Sequence, residues 1–216
     1  MNIHCLYGQQ YDSNIYLIEG KNPTVIDTGT GQFHSSVLKQ LATIIDPSKI
    51  QQIIITHEHF DHCGGINSLK DAIGPHVQVI THSIAAQKIE SGESDFAIML
   101  GCTLTKTAVD TKLIGGEKII IGNEEYSVIY TPGHSLGSIC LYSSKSKTLF
   151  SGDTVFAYGS FGRTDFPGGS TKQLIESIIT LSNHDVKNLY PGHESIIEGD
   201  ANNHIKMSLS NIQQMI

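Results

Sequence analysis

Tryptophan is absent from this 216-residue chain, which by itself excludes nothing. The other scarcities say more. Only 4 cysteines occur, at positions 5, 63, 102 and 140, and none forms a C-x-x-C pair. That scatter gives no disulfide framework to read, so reduced thiols in a cytoplasmic protein are expected. No apolar run approaches the roughly 20 residues a membrane span needs. The opening residues, MNIHCLYG, enter a strand pattern with no basic region, long apolar stretch or cleavage site, so no leader is expected. Positive charge is also short: 14 Lys and Arg stand against 21 Asp and Glu, for a net charge of −7. Without a Lys/Arg cluster, nucleic acid and anionic membrane are poor partners. The oligomeric state is not legible.

What is present suits a globule with ample length to bury a core. Residues 2–7 and 14–19 read as two strands with a turn between them. A third, TVID, ends at Asp27 and runs into Thr28-Gly29-Thr30-Gly31. Residues 33–45 carry Val37, Leu38, Leu41, Ile44 and Ile45 at amphipathic-helix spacing, closed by Asp46-Pro47. A strand at 53–56, a helix from 65 to 73 and a strand at 77–81 follow. Residues 83–110 look helical in pieces, and either shape a substrate pocket or simply pack. From Gly116 onward the pattern turns to strands (KIIIG, EYSVIYT, SICLYS, KTLFSG). A helix near 171–181, the strand KNLYP and a helix near 203–214 come last. Strands then helices occur twice in succession, which fits two sheets covered by outer helices.

The densest chemistry lies in IIITHEHFDHCGG, residues 53–65. A buried β-branched strand runs directly into His57, His59, Asp61 and His62, then the pair Gly64-Gly65. In an extended loop, alternation sends His57, His59 and Asp61 to one side, with His62 at the turn toward a helix. Imidazoles and a carboxylate packed this closely suit zinc, iron or manganese. Three later positions repeat one context, a strand followed by a glycine-bearing loop. They are His134 in TPGHS, Asp153 in SGDT and His193 in PGHE. Any one alone is weak; together with the first cluster they form a coherent metal-ligating set.

HEHFDH, TPGHS, SGD and PGHE, in this order and at these separations, resemble the metallo-β-lactamase superfamily, and more narrowly its glyoxalase II-like hydrolases. The resemblance spans about residues 14–195 and implies one α/β domain over 1–216. Its fold would be an αββα four-layer sandwich, two mixed sheets flanked by helices. It further implies that His57, His59 and His134 bind one metal, that Asp61, His62 and His193 bind a second, and that Asp153 bridges them. The implied cofactor is two Zn2+, with Fe or Mn an option at one or both sites. A water shared by two dications becomes a hydroxide near neutral pH and attacks an ester or thioester carbonyl. Asp61 would also orient that nucleophile, which makes it the catalytic side chain.

Other residues carry softer expectations. Asp27 in IDTG resembles the family's acid behind the metal ligands, while a turn cap is equally open. In GSFGRTDFPGG (159–169) Arg163 is expected to pair with Asp165, or to hold an anionic substrate group. Cys63 reads as a small buried residue beneath the loop. Met99 and Phe96 read as packing, and His4, His34, His76, His82, His184 and His204 as ordinary. Only a single helix is readable after His193, where typical glyoxalase II enzymes carry a glutathione-binding helical domain. The resemblance therefore speaks for a small-molecule thioester or ester without naming the thiol carrier. Two alternatives stand beside the hydrolase. One is a mononuclear Fe2+ persulfide dioxygenase using only His57, His134 and Asp153; the other is a non-catalytic metal-binding module.

Overall fold

Each cluster of strands read from the sequence becomes one sheet. The structure, a computed structural model, describes residues 2–215. The chain divides into two units: one runs to Leu113 and includes Ile120–Asn123, and the other holds Ile114–Ile119 and continues from Glu124.

In the first unit six strands stand in sequence order: β1 (Ile3–Leu6), β2 (Ile15–Ile18), β3 (Thr24–Ile26), β4 (Gln52–Ile54), β5 (Gln78–His82) and β6 (Thr111–Leu113). The first three pair antiparallel and β3 to β6 pair parallel, so this sheet is mixed. Parallel neighbours need crossovers, and helices supply them. Helix α1 (His34–Ile44) buries Val37 and Leu41. After a single turn, α2 (Phe60–Cys63), comes α3 (Ile66–Ile73), which buries Ile66, Leu69 and Ile73 at helical spacing. Ile53, Ile54 and Ile55 are all fully buried, which explains an apolar run without alternation. Each contributes roughly 1.5–3 kcal/mol by burial. Loops leaving the carboxyl ends of parallel strands are where such sheets bind ligands, and the His-rich loop leaves β4 at that end.

Residues 83–110 form α4 (Ser83–Ser91) and α5 (Asp95–Met99). Ala85, Ala86, Ile89, Ala97 and Leu104 are buried, while Ile98 and Met99 stand 72% and 68% exposed. The Phe96 ring lies 6.3 Å from that of His59, so this segment packs and also borders the His-rich loop.

The second sheet runs β11 (Asn188–Pro191), β10 (Thr148–Gly152), β9 (Ile139–Ser143), β8 (Glu124–Tyr130) and β7 (Lys118–Ile121). It too is mixed: β8–β9 and β9–β10 are antiparallel, and β10–β11 is parallel. Helix α6 (Thr171–Ser182) makes the parallel crossover and buries Leu174, Ile175, Ile178 and Leu181. Helix α7 (Ala201–Gln213) adds Ala201, Ile205 and Ile212 to the same core. The fold is α/β, two mixed sheets with helices packed on them. All four cysteines are thiols. Among the described residues no helix is long and apolar enough to cross a membrane.

Candidate metal centre

The strand ahead of the His-rich loop stops at Ile54, and Phe60–Cys63 is helical. The expected extended alternation therefore ends at His59, and Asp61 and His62 project from a helical turn. Burial drives the change: Phe60 and Cys63 are drawn into the core at 4% and 1% exposure. Cys63 is packing, as expected. Its Sγ–H donates to the Glu58 carbonyl at 3.4 Å, and burial pushes its thiol well above the ordinary range.

Asp27, at the end of β3, organises this loop. Its Oδ1 accepts the Thr56 N–H at 2.8 Å, and its Oδ2 accepts the Thr56 hydroxyl and His62 Nδ1–H, each at 2.8 Å. The donors and acceptors then fix the tautomers. His62 carries its proton on Nδ1, which leaves an Nε2 lone pair 3.6 Å from Asp61 Oδ2. Thr56 gives its only proton to Asp27, so it accepts from His57 Nδ1–H at 3.2 Å. His57 Nε2 is thereby a lone pair, 3.2 Å from His59 Nδ1. The glycine pair has a steric reason: a Cβ on Gly65 would lie 2.2 Å from the Thr28 carbonyl oxygen, and one on Gly64 2.5 Å from that of Thr30. The loop after β3 presses directly on the His-rich loop.

In the second unit His134, Asp153 and His193 follow β8, β10 and β11. His134 and Asp153 are 3% and 6% exposed. The Arg163 carbonyl accepts His134 Nδ1–H at 2.7 Å, which again turns Nε2 into the lone pair. That Nε2 is 3.4 Å from Asp153 Oδ2, and His193 Nε2 is 3.6 Å from the same oxygen. Gly162 is required here because a Cβ would meet the Asp153 carbonyl oxygen at 2.0 Å and His134 Nδ1 at 2.8 Å. The Arg163 side chain points elsewhere. Its Nε and Nη2 bond the two Asp165 oxygens at 2.9 and 2.7 Å, and the guanidinium lies 4.5 Å from the centre of the Phe166 ring.

These separations test whether the residues suit metal. A tetrahedral ion with bonds of ~2.0–2.1 Å holds neighbouring donors roughly 3.3 Å apart. The contacts above, 3.2, 3.6, 3.4 and 3.6 Å, match that edge in both units. Imidazoles beside carboxylates, with the second nitrogen of His57, His62 and His134 already hydrogen-bonded, are the donor set of zinc, iron or manganese. The residues fit.

Residues 8–193 match the family model described as Metallo-beta-lactamase superfamily. The chain belongs to this superfamily. Within it, "Probable metallo-hydrolase MJ0888" of Methanocaldococcus jannaschii is 34% identical over 88% of this chain and 92% of its own length. A hydroxyacylglutathione hydrolase of Rhodospirillum rubrum is 32% identical over 67% of this chain, which spans 48% of that enzyme. A 33% identical protein of Aquifex aeolicus is likewise spanned over 60% of its length. The human acyl-coenzyme A thioesterase MBLAC2 is 29% identical over 84% of this chain and 72% of its own. Among solved structures, the BLEG-1 B3 metallo-beta-lactamase superposes with a TM-score of 0.80 at 25% identity, covering 97% of both chains. TTHA1623, solved in a di-iron-bound form, gives 0.74 at 27% identity over 96% of both. Superfamily membership makes the chain a metallohydrolase relative; the metal's identity is not fixed by it.

Two supports of the centre have no motif. Asp12, 5% exposed in the turn before β2, accepts from the Thr30 N–H at 2.8 Å, while Ser13 N–H donates to the Asp61 carbonyl at 3.1 Å. The Arg163 carbonyl acts through its backbone, which residue type does not reveal. A polar residue buried inside a turn was the only signal for Asp12.

Proposed function

We propose that this protein is a dinuclear metallohydrolase of thioester or ester bonds, of glyoxalase II type, with residues 1–216 as one domain. His57, His59 and His134 would hold one ion, Asp61, His62 and His193 the other, and Asp153 would be shared between the two sets. One observation supports this reading: a single oxygen, Asp153 Oδ2, lies near Nε2 of both His134 and His193, one from each proposed ligand set. When bound, the ions lower the pKa of a water to near neutral and polarise the substrate carbonyl.

The chain's own residues prepare that chemistry. Asp27 and the Arg163 carbonyl lock two imidazoles as Nε2 ligands before metal arrives. Asp61 accepts a hydrogen bond from the attacking water and orients it. Arg163, exposed and paired with Asp165, meets an anionic substrate group only by exchanging that partner, so Arg163→Ala raises KM far more than it lowers kcat. The names of two relatives, a hydroxyacylglutathione hydrolase and an acyl-coenzyme A thioesterase, support a thioester carried on a thiol cofactor.

A panel of hydroxyacyl- and acyl-thioesters of glutathione and coenzyme A, followed by thiol release, tests the reading. Metal-loaded protein hydrolyses at least one of them, and Asp61→Asn loses the activity while keeping its fold. Oxygen consumption with a persulfide, and no thiol release from any thioester, would replace the hydrolase by the iron dioxygenase. Inertness in both assays would leave a metal-binding module.

A further inference from the structure

Three side chains of α7 grip three consecutive backbone groups in the turn that follows Asp153. The Tyr158 N–H donates to His204 Nδ1 at 2.8 Å. Asn211 Nδ2 donates to the Gly159 carbonyl at 2.9 Å, and Ser208 Oγ to the Ser160 carbonyl at 2.8 Å. Positions 204, 208 and 211 form one stripe on a helix. The turn they hold is not one the chain adopts freely. Tyr158 sits in the left-handed region at φ 56°, disfavoured for any residue with a Cβ, and the residue is 68% exposed. Gly159 follows at φ 80°, where a Cβ would lie 2.6 Å from Asn211 Nδ2. A strained turn needs surroundings that over-determine it, and the stripe supplies them.

The gripped turn leads straight to the metal-facing side chains. Phe156 N–H bonds the Ser160 carbonyl at 2.9 Å, and Val155 bridges Phe161, so the segment closes on itself. Gly162 then lies against the Asp153 carbonyl, and the Arg163 carbonyl takes His134 Nδ1–H. We propose that His204, Ser208 and Asn211 are positioning residues. Through the 158–163 turn, α7 holds the carbonyl that fixes the His134 tautomer and the backbone that seats Asp153. The inference rests on reading His134 and Asp153 as ligands. It assigns a role to His204, which the sequence left as ordinary, and to two residues that carried no signal at all.

The competing account is that α7 merely packs, through Ala201, Ile205 and Ile212. Two readouts separate them: zinc affinity by competition with a chromophoric chelator, and the 15N imidazole spectrum of His134 in metal-free protein. The double variant His204→Ala/Asn211→Ala binds zinc ~10–100-fold more weakly, the loss typical of removing support behind a ligand. Its His134 also loses the single Nδ1–H tautomer. Ile212→Val, which loosens α7 without touching the three bonds, lowers the melting temperature and changes neither readout. A double variant that is only less heat-stable, with affinity and tautomer intact, would overturn the clamp. If that variant does not fold, Asn211→Ala alone is held to the same two readouts. Should the wild type bind no zinc, the ligand reading fails, yet the metal-free His134 spectrum still decides whether α7 sets the tautomer.

Discussion

Asp153→Asn lowers the bound metal and cuts turnover by more than about 100-fold. An outer-shell partner of a ligand is worth ~10–100-fold in affinity, and a bridging ligand acts on both ions at once. Asparagine keeps the volume of the side chain, which is 6% exposed, so packing is preserved and the change is one of charge and donor type. The oxygen facing His134 Nε2 and His193 Nε2 becomes either a neutral carbonyl or an amide nitrogen with no lone pair to share. Metal analysis of the purified variant checks this directly. Asp61→Asn, which touches one proposed set only, retains more of the first ion than Asp153→Asn does. Equal metal content and wild-type turnover in Asp153→Asn would remove the bridge from the account.

The second large effect falls on Asp27, where stability and metal binding come apart between two substitutions. Asp27→Ala costs about 1–3 kcal/mol for each buried donor it leaves without an acceptor. It leaves the buried Thr56 N–H and hydroxyl without their acceptor, and it places alanine at φ 58°. Asp27→Asn tolerates that backbone and still offers an oxygen to the Thr56 N–H, so much of the stability returns. Its amide now presents hydrogens where Oδ2 accepted from His62 Nδ1–H. His62 escapes the clash by moving its proton to Nε2, the nitrogen assigned to the metal. Thermal unfolding ranks wild type, Asp27→Asn and Asp27→Ala in that order, while Asp27→Asn still loses affinity ~10–100-fold at the second site. Wild-type metal affinity in Asp27→Asn would show that this carboxylate is a turn cap and nothing more.

The sequence spoke most clearly where chemistry and periodicity coincide. The run Ile53–Ile55 read as a buried strand, and all three residues are buried with Ile53 and Ile54 in β4, while ligand-capable residues after strands marked where loops carry function. Its errors have physical causes. Alternation was extended through Asp61 because nothing local announced that Phe60 and Cys63 would be pulled inward to wind a helical turn. The strand Thr111–Leu113 went unread because two of its residues are exposed and it is three residues long. Arg163 drew attention for its guanidinium, yet the structure's use of that residue toward His134 is through its carbonyl. The stripe His204, Ser208 and Asn211 was invisible for a similar reason: its partners are backbone groups some 50 positions away, which residue type does not announce.

That two ions share Asp153 is tested by counting metal per chain on protein purified without added metal or chelator. About two equivalents are expected, of zinc or of a zinc–iron mixture, both lost together in Asp153→Asn. A single equivalent of iron that never rises on adding zinc or iron would contradict it and leave one mononuclear centre.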